Sequence, residues 1–310
     1  MPLHNFADEI IKSGKYAGVD RAVVARIWSE AAGKYPKRKD AEKAVKKELH
    51  IIFGSFLQRD SLASAESIID GYINANPREE SIIDGYKGAG LRDDRETARR
   101  LLGLHVSTAE RANHLEEIYN YIGNCIGTNT CIVDIGCGFN PFALPFYATR
   151  PVGYAAYDIC AKTVSLINKY FAKTCEITND LCAPDSTRWS ARAQNTPHWF
   201  ACTLDAVSET PPKTPPAPGG ACTLLMLKLF PLLERQRKGR AFELLGEAAF
   251  NTAIISFPTK SASGREKGME TFYTGMFERG FAEHGLSEII RIADKAVFGN
   301  EMFYVVNRRE

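Results

Sequence analysis

The chain has 310 residues, of which 45% are apolar, and its 39 basic and 37 acidic side chains leave a formal charge of +2. These proportions belong to a globular chain long enough to bury a core, in one large or two smaller domains, without disulfide or metal support. No apolar run reaches bilayer length: the best, Leu224 to Leu233, is broken by Lys228 and Pro231. Asp8 and Glu9 stand where a secretory leader needs a basic start and an apolar stretch, so a cytoplasmic location is expected. The eight cysteines make no CxxC pair and no finger spacing with histidine, which points to reduced, mostly buried thiols and no metal.

Residues 1 to 104 read as a helical domain. Val23, Val24, Ile27, Trp28 and Ala31 recur at helical spacing, as do Val45, Leu49, Ile52 and Phe53. From Lys34 to Lys47, seven basic residues face only Asp40 and Glu42. Such a patch, with Lys37, Arg38, Lys39, Lys46 and Lys47 at its centre, suits either a polyanion or simply a solvated helix face. The segment Glu66-Ser-Ile-Ile-Asp-Gly-Tyr72 recurs as residues 80–86, a local duplication too short for a solenoid.

Beyond residue 105 strands and helices alternate. Ser107-Thr-Ala-Glu110 has capping-box form and opens a helix with the stripe Leu115, Ile118, Tyr119 and Ile122. Strands are predicted at Thr130–Ile135, Val152–Asp158, Thr174–Thr178, Cys222–Leu229, Thr252–Phe257, Leu286–Ala293 and Glu301–Asn307. Alternation of this kind implies an α/β, doubly wound, Rossmann-like sheet, with the last two strands forming an antiparallel hairpin. Residues 186–220, with five prolines from Pro211 to Pro218, read as a mobile insertion between the third and fourth strands. Ala201-Cys-Thr-Leu204 and Ala221-Cys-Thr-Leu224 compete for the fourth strand; the second is preferred because it runs directly into Lys228-Leu-Phe-Pro231.

Chemistry centres on Asp134-Ile-Gly-Cys-Gly138 at the end of the first strand. A glycine turn there lets a cofactor approach the backbone. The dinucleotide fingerprint needs a glycine at 141, where this chain has Pro141. An acid immediately before the turn, Asp158 ending the second strand and Asp180 after the predicted third strand together form the pattern of an S-adenosylmethionine methyltransferase sheet. Asp158 is placed to accept the ribose hydroxyls and Asp180 the adenine amino group.

An ordered series of motifs sharpens this: His105-Val-Ser-Thr-Ala-Glu-Arg111, Asp134 to Pro141, Leu227-Lys-Leu-Phe-Pro-Leu-Leu-Glu234, Ser256 to Met269 and Gly299-Asn-Glu-Met-Phe-Tyr304. It resembles the aminoglycoside-resistance 16S rRNA (guanine-1405) N7-methyltransferases over nearly the whole chain. The resemblance implies S-adenosyl-L-methionine as cofactor and 16S rRNA in the 30S subunit as partner. By position it implies that Thr108 and Arg111 hold the methionine carboxylate. Gly136, Cys137 and Gly138 would line the cofactor, Asp158 and Ile159 meet the ribose, and Asp180 and Leu181 bracket the adenine. His105 is either structural or a ligand contact, and Lys228 either meets the target base or extends from a strand end. Lys260, Arg265 and Lys267 would form a loop over the base, and the basic helices would dock rRNA. Guanine N7 carries a lone pair and no proton, so its methylation needs no general base and rests on positioning. A methyltransferase for a small molecule or protein, and a non-enzymatic RNA-binding relative, are the alternatives.

Overall fold

The computed structural model describes residues 3–12, 15–16, 18–57, 60–74, 91–128, 130–174, 199–211, 221–260 and 268–309. The chain opens with five helices: α1 (Leu3–Lys12), α2 (Arg21–Lys34), α3 (Arg38–Leu49), α4 (Ser61–Asn74) and α5 (Leu91–Leu102). Asp20 caps α2 by accepting from the Ala22 N–H at 2.7 Å. A π-helical turn, His50–Gly54, carries α3 into the segment leading to α4. The apolar stripes of α1 to α3 close on one another around Val24, Val45 and Leu49, and Cys160, two residues after Asp158, joins that cluster. By contrast, Ala65 and Ile69 of α4 and Leu101 of α5 pack into the core of the sheet itself. The first copy of the duplicated segment lies on α4; the second lies outside the described residues.

Seven strands form one sheet in the order β3-β2-β1-β4-β5-β7-β6. They are β1 (Thr130–Ile135), β2 (Gly153–Asp158), β3 (Trp199–Thr203), β4 (Ala221–Leu227), β5 (Thr252–Pro258), β6 (Ile290–Phe298) and β7 (Glu301–Arg308). The first five run parallel and β7 enters antiparallel between β5 and β6. Side chains alternate across the sheet: Ile132 belongs to the cluster facing α4, α5, α7 (Leu115–Ile126) and α8 (Ala161–Thr174). Val133 and Ile135 join the opposite cluster, under α9 (Phe230–Gln236), α10 (Arg240–Glu247) and α11 (Met269–Glu283). The continuous burial of β1 is what a parallel strand covered on both faces requires.

Several sequence expectations are corrected. The sixth strand runs from Ile290 to Phe298, because Leu286–Glu288 forms a 3-10 turn before it. Thr174–Thr178 is not the third strand, because α8 runs to Thr174 and β2 pairs with Trp199–Thr203, from Tyr154 against Trp199 to Asp158 against Thr203. The reason is burial: Trp199 packs on Tyr154 and Phe171, whereas Thr-Cys-Glu-Ile-Thr offers one large apolar side chain. The segment 186–220 is therefore no simple insertion, and the near copies at 201 and 221 are two separate strands, β3 and β4. Ser107 also opens no long helix. Val106–Ala109 is a single turn, α6, preceded by His105, and α7 starts only at Leu115 after a 3-10 turn.

Candidate active site

The carboxyl ends of the parallel strands converge on a cavity holding about 830 Å³ of open space. Its floor is the turn after β1. Gly136 (φ 64°) and Gly138 (φ 50°) both lie in the left-handed region. A Cβ on Gly136 would meet Leu229 at 2.8 Å, and one on Gly138 would meet the His105 ring at 2.9 Å. The Cys137 N–H donates to the Tyr157 carbonyl at 3.0 Å, fixing the turn beside β2. Cys137 itself is buried.

Asp158 ends β2 and does two structural jobs. Its Oδ2 accepts the Gly138 N–H and its Oδ1 the Cys160 N–H, each at 2.9 Å. It therefore ties two strand ends together while opening α8. Burial pushes its carboxyl up, and backbone N–H donors pull it back. Both Asp158 and Ile159 line the cavity.

Beneath the floor runs a buried polar chain. Asp134 Oδ2 accepts from Asn140 Nδ2 (2.8 Å) and the Tyr154 hydroxyl (2.7 Å). Asp134 Oδ1 is buried with no hydrogen-bond partner among the described residues. Burial pushes this carboxyl up to about 6 against those two bonds and Arg111. Asn140 Oδ1 accepts from the Tyr119 hydroxyl and from Arg111 Nη1. Arg111 then donates from Nε and Nη2 to both oxygens of Glu301 at 2.8 Å, a pair with each side chain only 2% exposed. Burial opposes the Arg111 charge, but Glu301 and Tyr119 more than offset it. Burial likewise works against Glu301, and Arg111 and Lys228 hold it below the usual carboxylate range.

Lys228 follows β4 and lines the cavity. It is the single non-glycine among the described residues with positive φ, 57°. Its own N–H is held by Ser256, while Nζ reaches Glu110 at 2.5 Å, the Ser107 carbonyl at 3.3 Å and Glu301 at 3.4 Å. A left-handed backbone at the end of a parallel strand, braced by two carboxylates, makes this a constrained position. His105 also lines the cavity, stacked on Phe56 and beside Phe139, with Ser107 Oγ 2.8 Å from Nδ1. Burial, then Arg111 and Lys228, depress its pKa to about 3, so the ring is neutral at physiological pH.

The sequence-predicted residues thus divide. Gly136, Gly138, Asp158, Ile159, His105 and Lys228 come together around the cavity. Thr108 lies just behind it, its hydroxyl donating to the Leu102 and His105 carbonyls, and four of the five N–H groups of Arg111 meet partners among the described residues. Asp180 and Leu181 lie outside the described residues; since β3 is Trp199–Thr203, they precede the third strand instead of following it. The acid after β3 is Asp205, 6% exposed and on the cavity wall with Leu204. Arg240 fixes that wall by donating to the Ala206 and Glu209 carbonyls. Lys37, Arg38, Lys39, Lys46 and Lys47 are all exposed around α3, Arg38 paired with Glu42. Lys260 is exposed after β5, and Arg265 and Lys267 lie outside the described residues.

Sequence reasoning missed Asp205, Arg26, Glu110 and Glu301 as site residues. For Glu301 one signal was present, an acid heading the otherwise apolar strand Glu-Met-Phe-Tyr-Val-Val. Glycines at the β1 turn, acids at successive strand ends and an antiparallel β7 define a Rossmann-like methyltransferase. The family model for the ribosomal RNA methyltransferase (FmrO) matches residues 12–181 and 194–305, and the chain belongs to that family. The 16S rRNA (guanine(1405)-N(7))-methyltransferase of Proteus mirabilis is 29% identical over 97% of this chain and 95% of its own. That of Serratia marcescens is 28% identical over 99% of both. The crystal structure of the 16S rRNA methyltransferase RmtF in complex with S-adenosyl-L-homocysteine superposes with a TM-score of 0.75, at 26% identity over 99% and 98% of the two chains. No helix among the described residues is long and apolar enough to cross a membrane.

Proposed function

We propose that this enzyme transfers a methyl group from S-adenosylmethionine to N7 of guanine 1405 of 16S rRNA in the 30S subunit, giving aminoglycoside resistance. The observation that carries the reading is one cavity bounded by the Gly136-Cys-Gly138 turn, Asp158, Asp205 and a braced Lys228, in a member of an rRNA methyltransferase family. The fit to the cofactor is chemical. Two positive-φ glycines leave room for it, acids end β2 and follow β3, and the buried Asp134 oxygen without a partner favours a cationic neighbour. Asp158 with Ile159 would hold the ribose. Asp205 with Leu204 would meet the adenine, and His105 the methionine end, with Thr108 and Arg111 buried behind that wall. When bound, the cofactor supplies an electrophilic sulfonium methyl.

Nothing in this cavity needs to remove a proton, because guanine N7 has none. His105 is neutral but committed to Ser107 and two aromatic rings. Lys228 stands at the carboxyl end of β4, where it can orient the flipped base by charge. The helical half, residues 1–104, would dock rRNA through Lys37, Arg38, Lys39, Lys46 and Lys47, and Lys260, Arg265 and Lys267 would close over the base. Incubation with 30S subunits and labelled S-adenosylmethionine, followed by chemical cleavage and reverse transcription, tests this. A single stop at guanine 1405 is expected; label on ribosomal protein or on no macromolecule would overturn the assignment.

A further inference from the structure

Arg26 sits on α2 in the helical half, yet its guanidinium is bound to the sheet half. Nε donates to Asp205 Oδ2 at 2.5 Å and Nη2 to Asp205 Oδ1 at 3.2 Å, a bidentate pair joining residues 179 positions apart. Nη2 also reaches Gln236 Oε1 at 2.9 Å, and Nη1 reaches Glu30 Oε1 at 3.0 Å. The pair is sheltered, with the side chains 15% and 6% exposed. Asp205 is at the same time the acid that follows β3, and Arg26, Ile52, Phe53 and Phe56 line the same cavity as Gly136 and Asp158. One wall of the pocket is therefore built by the helical half.

The other junctions lie beside pocket residues too. The Asp20 N–H donates to the Ile159 carbonyl at 2.8 Å and the Ala161 N–H to the Gly18 carbonyl at 2.6 Å, directly after Asp158. The Val106 N–H donates to the Phe56 carbonyl at 2.9 Å, next to His105. Each end of the pocket thus touches the unit formed by α1 to α3, and α3 of that unit carries the exposed basic face. A ligand against Asp205, Ile159 and His105 changes the surroundings of all three junctions. Asp205 and Arg26 are the only charged pair at these junctions among the described residues with both side chains sheltered.

We propose that Arg26 is a positioning residue that couples occupancy of the pocket to docking of RNA on the α3 face, by holding the helical half against Asp205. The proposal rests on the reading above of the cavity as the cofactor site and of α3 as the docking face. Linkage then makes the effect reciprocal: the nucleoside ligand tightens RNA docking, and docked RNA tightens the ligand, by the same factor.

The test measures the affinity of the full chain for 30S subunits without and with saturating S-adenosylhomocysteine, in the wild type, Arg26→Ala, Arg26→Lys and Asp205→Asn. The wild type should bind at least about fivefold tighter with the ligand, the lower end of common coupling factors. That ratio should fall close to one in Arg26→Ala and in Asp205→Asn. In Arg26→Lys, which keeps the charge but loses the bidentate geometry, it should be intermediate. If Arg26→Ala fails to fold, Arg26→Lys decides: a full wild-type ratio there overturns the proposal. So does a ratio of one in the wild type, or one that survives in folded Arg26→Ala. Methylation by the wild type is scored separately: its absence overturns the functional reading, whereas normal methylation without coupling overturns only the role of Arg26.

Discussion

Asp158 holds the fold and faces the cavity at once. Its two N–H bonds, from Gly138 and Cys160, use one lone pair of each oxygen and leave acceptor capacity toward the cavity. Replacing it with alanine should remove acceptors for both ribose hydroxyls, about 1.5–3 kcal/mol for each charged bond before relaxation. Calorimetry should find S-adenosylmethionine binding weakened by tenfold or more in a folded Asp158→Ala protein, and unchanged affinity would remove Asp158 from the site. His105 offers a prediction in pH. Its folded pKa, about 3, lies below the value near 6.5 of an unfolded chain, so the unfolded state binds the proton first as pH falls. The stability tied to the neutral ring is complete above pH 6.5 and is lost progressively from there toward pH 3, at about 1.4 kcal/mol per unit. Urea unfolding at pH 7, 6 and 5 should show this slope in the wild type and a shallower one in His105→Gln. Parallel slopes would mean that the ring is not held neutral.

The strands that were legible in the sequence are those buried on both faces. β1, β4 and β5 are mainly apolar runs, with buried polar exceptions such as Asp134 and Ser256, and each gives way at its carboxyl end to a residue that breaks the pattern: Gly136, Lys228 or Pro258. β3 was read only as a rival registration of the fourth strand, because it is five residues long and the proline-rich stretch that follows it disguised its neighbourhood as loop. Because β3 is Trp199–Thr203, the acid that follows it is Asp205, and Asp180 precedes the strand. Strand-end residues such as Gly136 and Asp158 could be read because the topology places strand ends together. Arg26 with Asp205 and Arg111 with Glu301 could not, since they pair across 179 and 190 residues with no local signal. The anchoring of β3 by aromatic packing is testable. Trp199 stacks near Tyr154, meets Phe171 edge-on and lies under Arg150, so Trp199→Ala should cost about 3–5 kcal/mol in chemical unfolding. A loss below about 1 kcal/mol would mean that this side chain does not anchor β3. On α3 the expectation is different, because its basic side chains are exposed and hold no core. Reversing Lys37, Arg38, Lys46 and Lys47 to Glu should leave stability and S-adenosylhomocysteine affinity nearly unchanged while abolishing 30S binding. Undiminished 30S affinity with an unchanged salt slope would move the docking face elsewhere.

The cavity lies at the seam of a methyltransferase sheet and a basic helical unit, and under the proposed function the product is a modified ribosome. Methylation at N7 adds a positive charge and a methyl group to a guanine edge and removes the acceptor that N7 offered. A cationic aminoglycoside of the 4,6-disubstituted deoxystreptamine type that contacts this edge would then meet a steric block and a like charge, each unfavourable on its own. Expression in a sensitive bacterium should therefore raise the inhibitory concentrations of gentamicin and kanamycin strongly. Neomycin, with its different substitution pattern, should be affected much less. The two mutational controls follow from the site: Asp158→Ala loses ribose acceptors, and Arg111→Ala leaves the buried Glu301 without its bidentate partner. Because the second also costs stability, about 3–5 kcal/mol for a broken buried pair, soluble Arg111→Ala protein must be confirmed before its loss of resistance is scored. Asp158→Ala, likewise scored only as soluble protein, carries the stricter test, because it breaks two backbone bonds but no buried ion pair. Resistance that persists in that variant, or equal protection against neomycin and gentamicin, would show that the target nucleotide or the methyl-transfer mechanism is wrong.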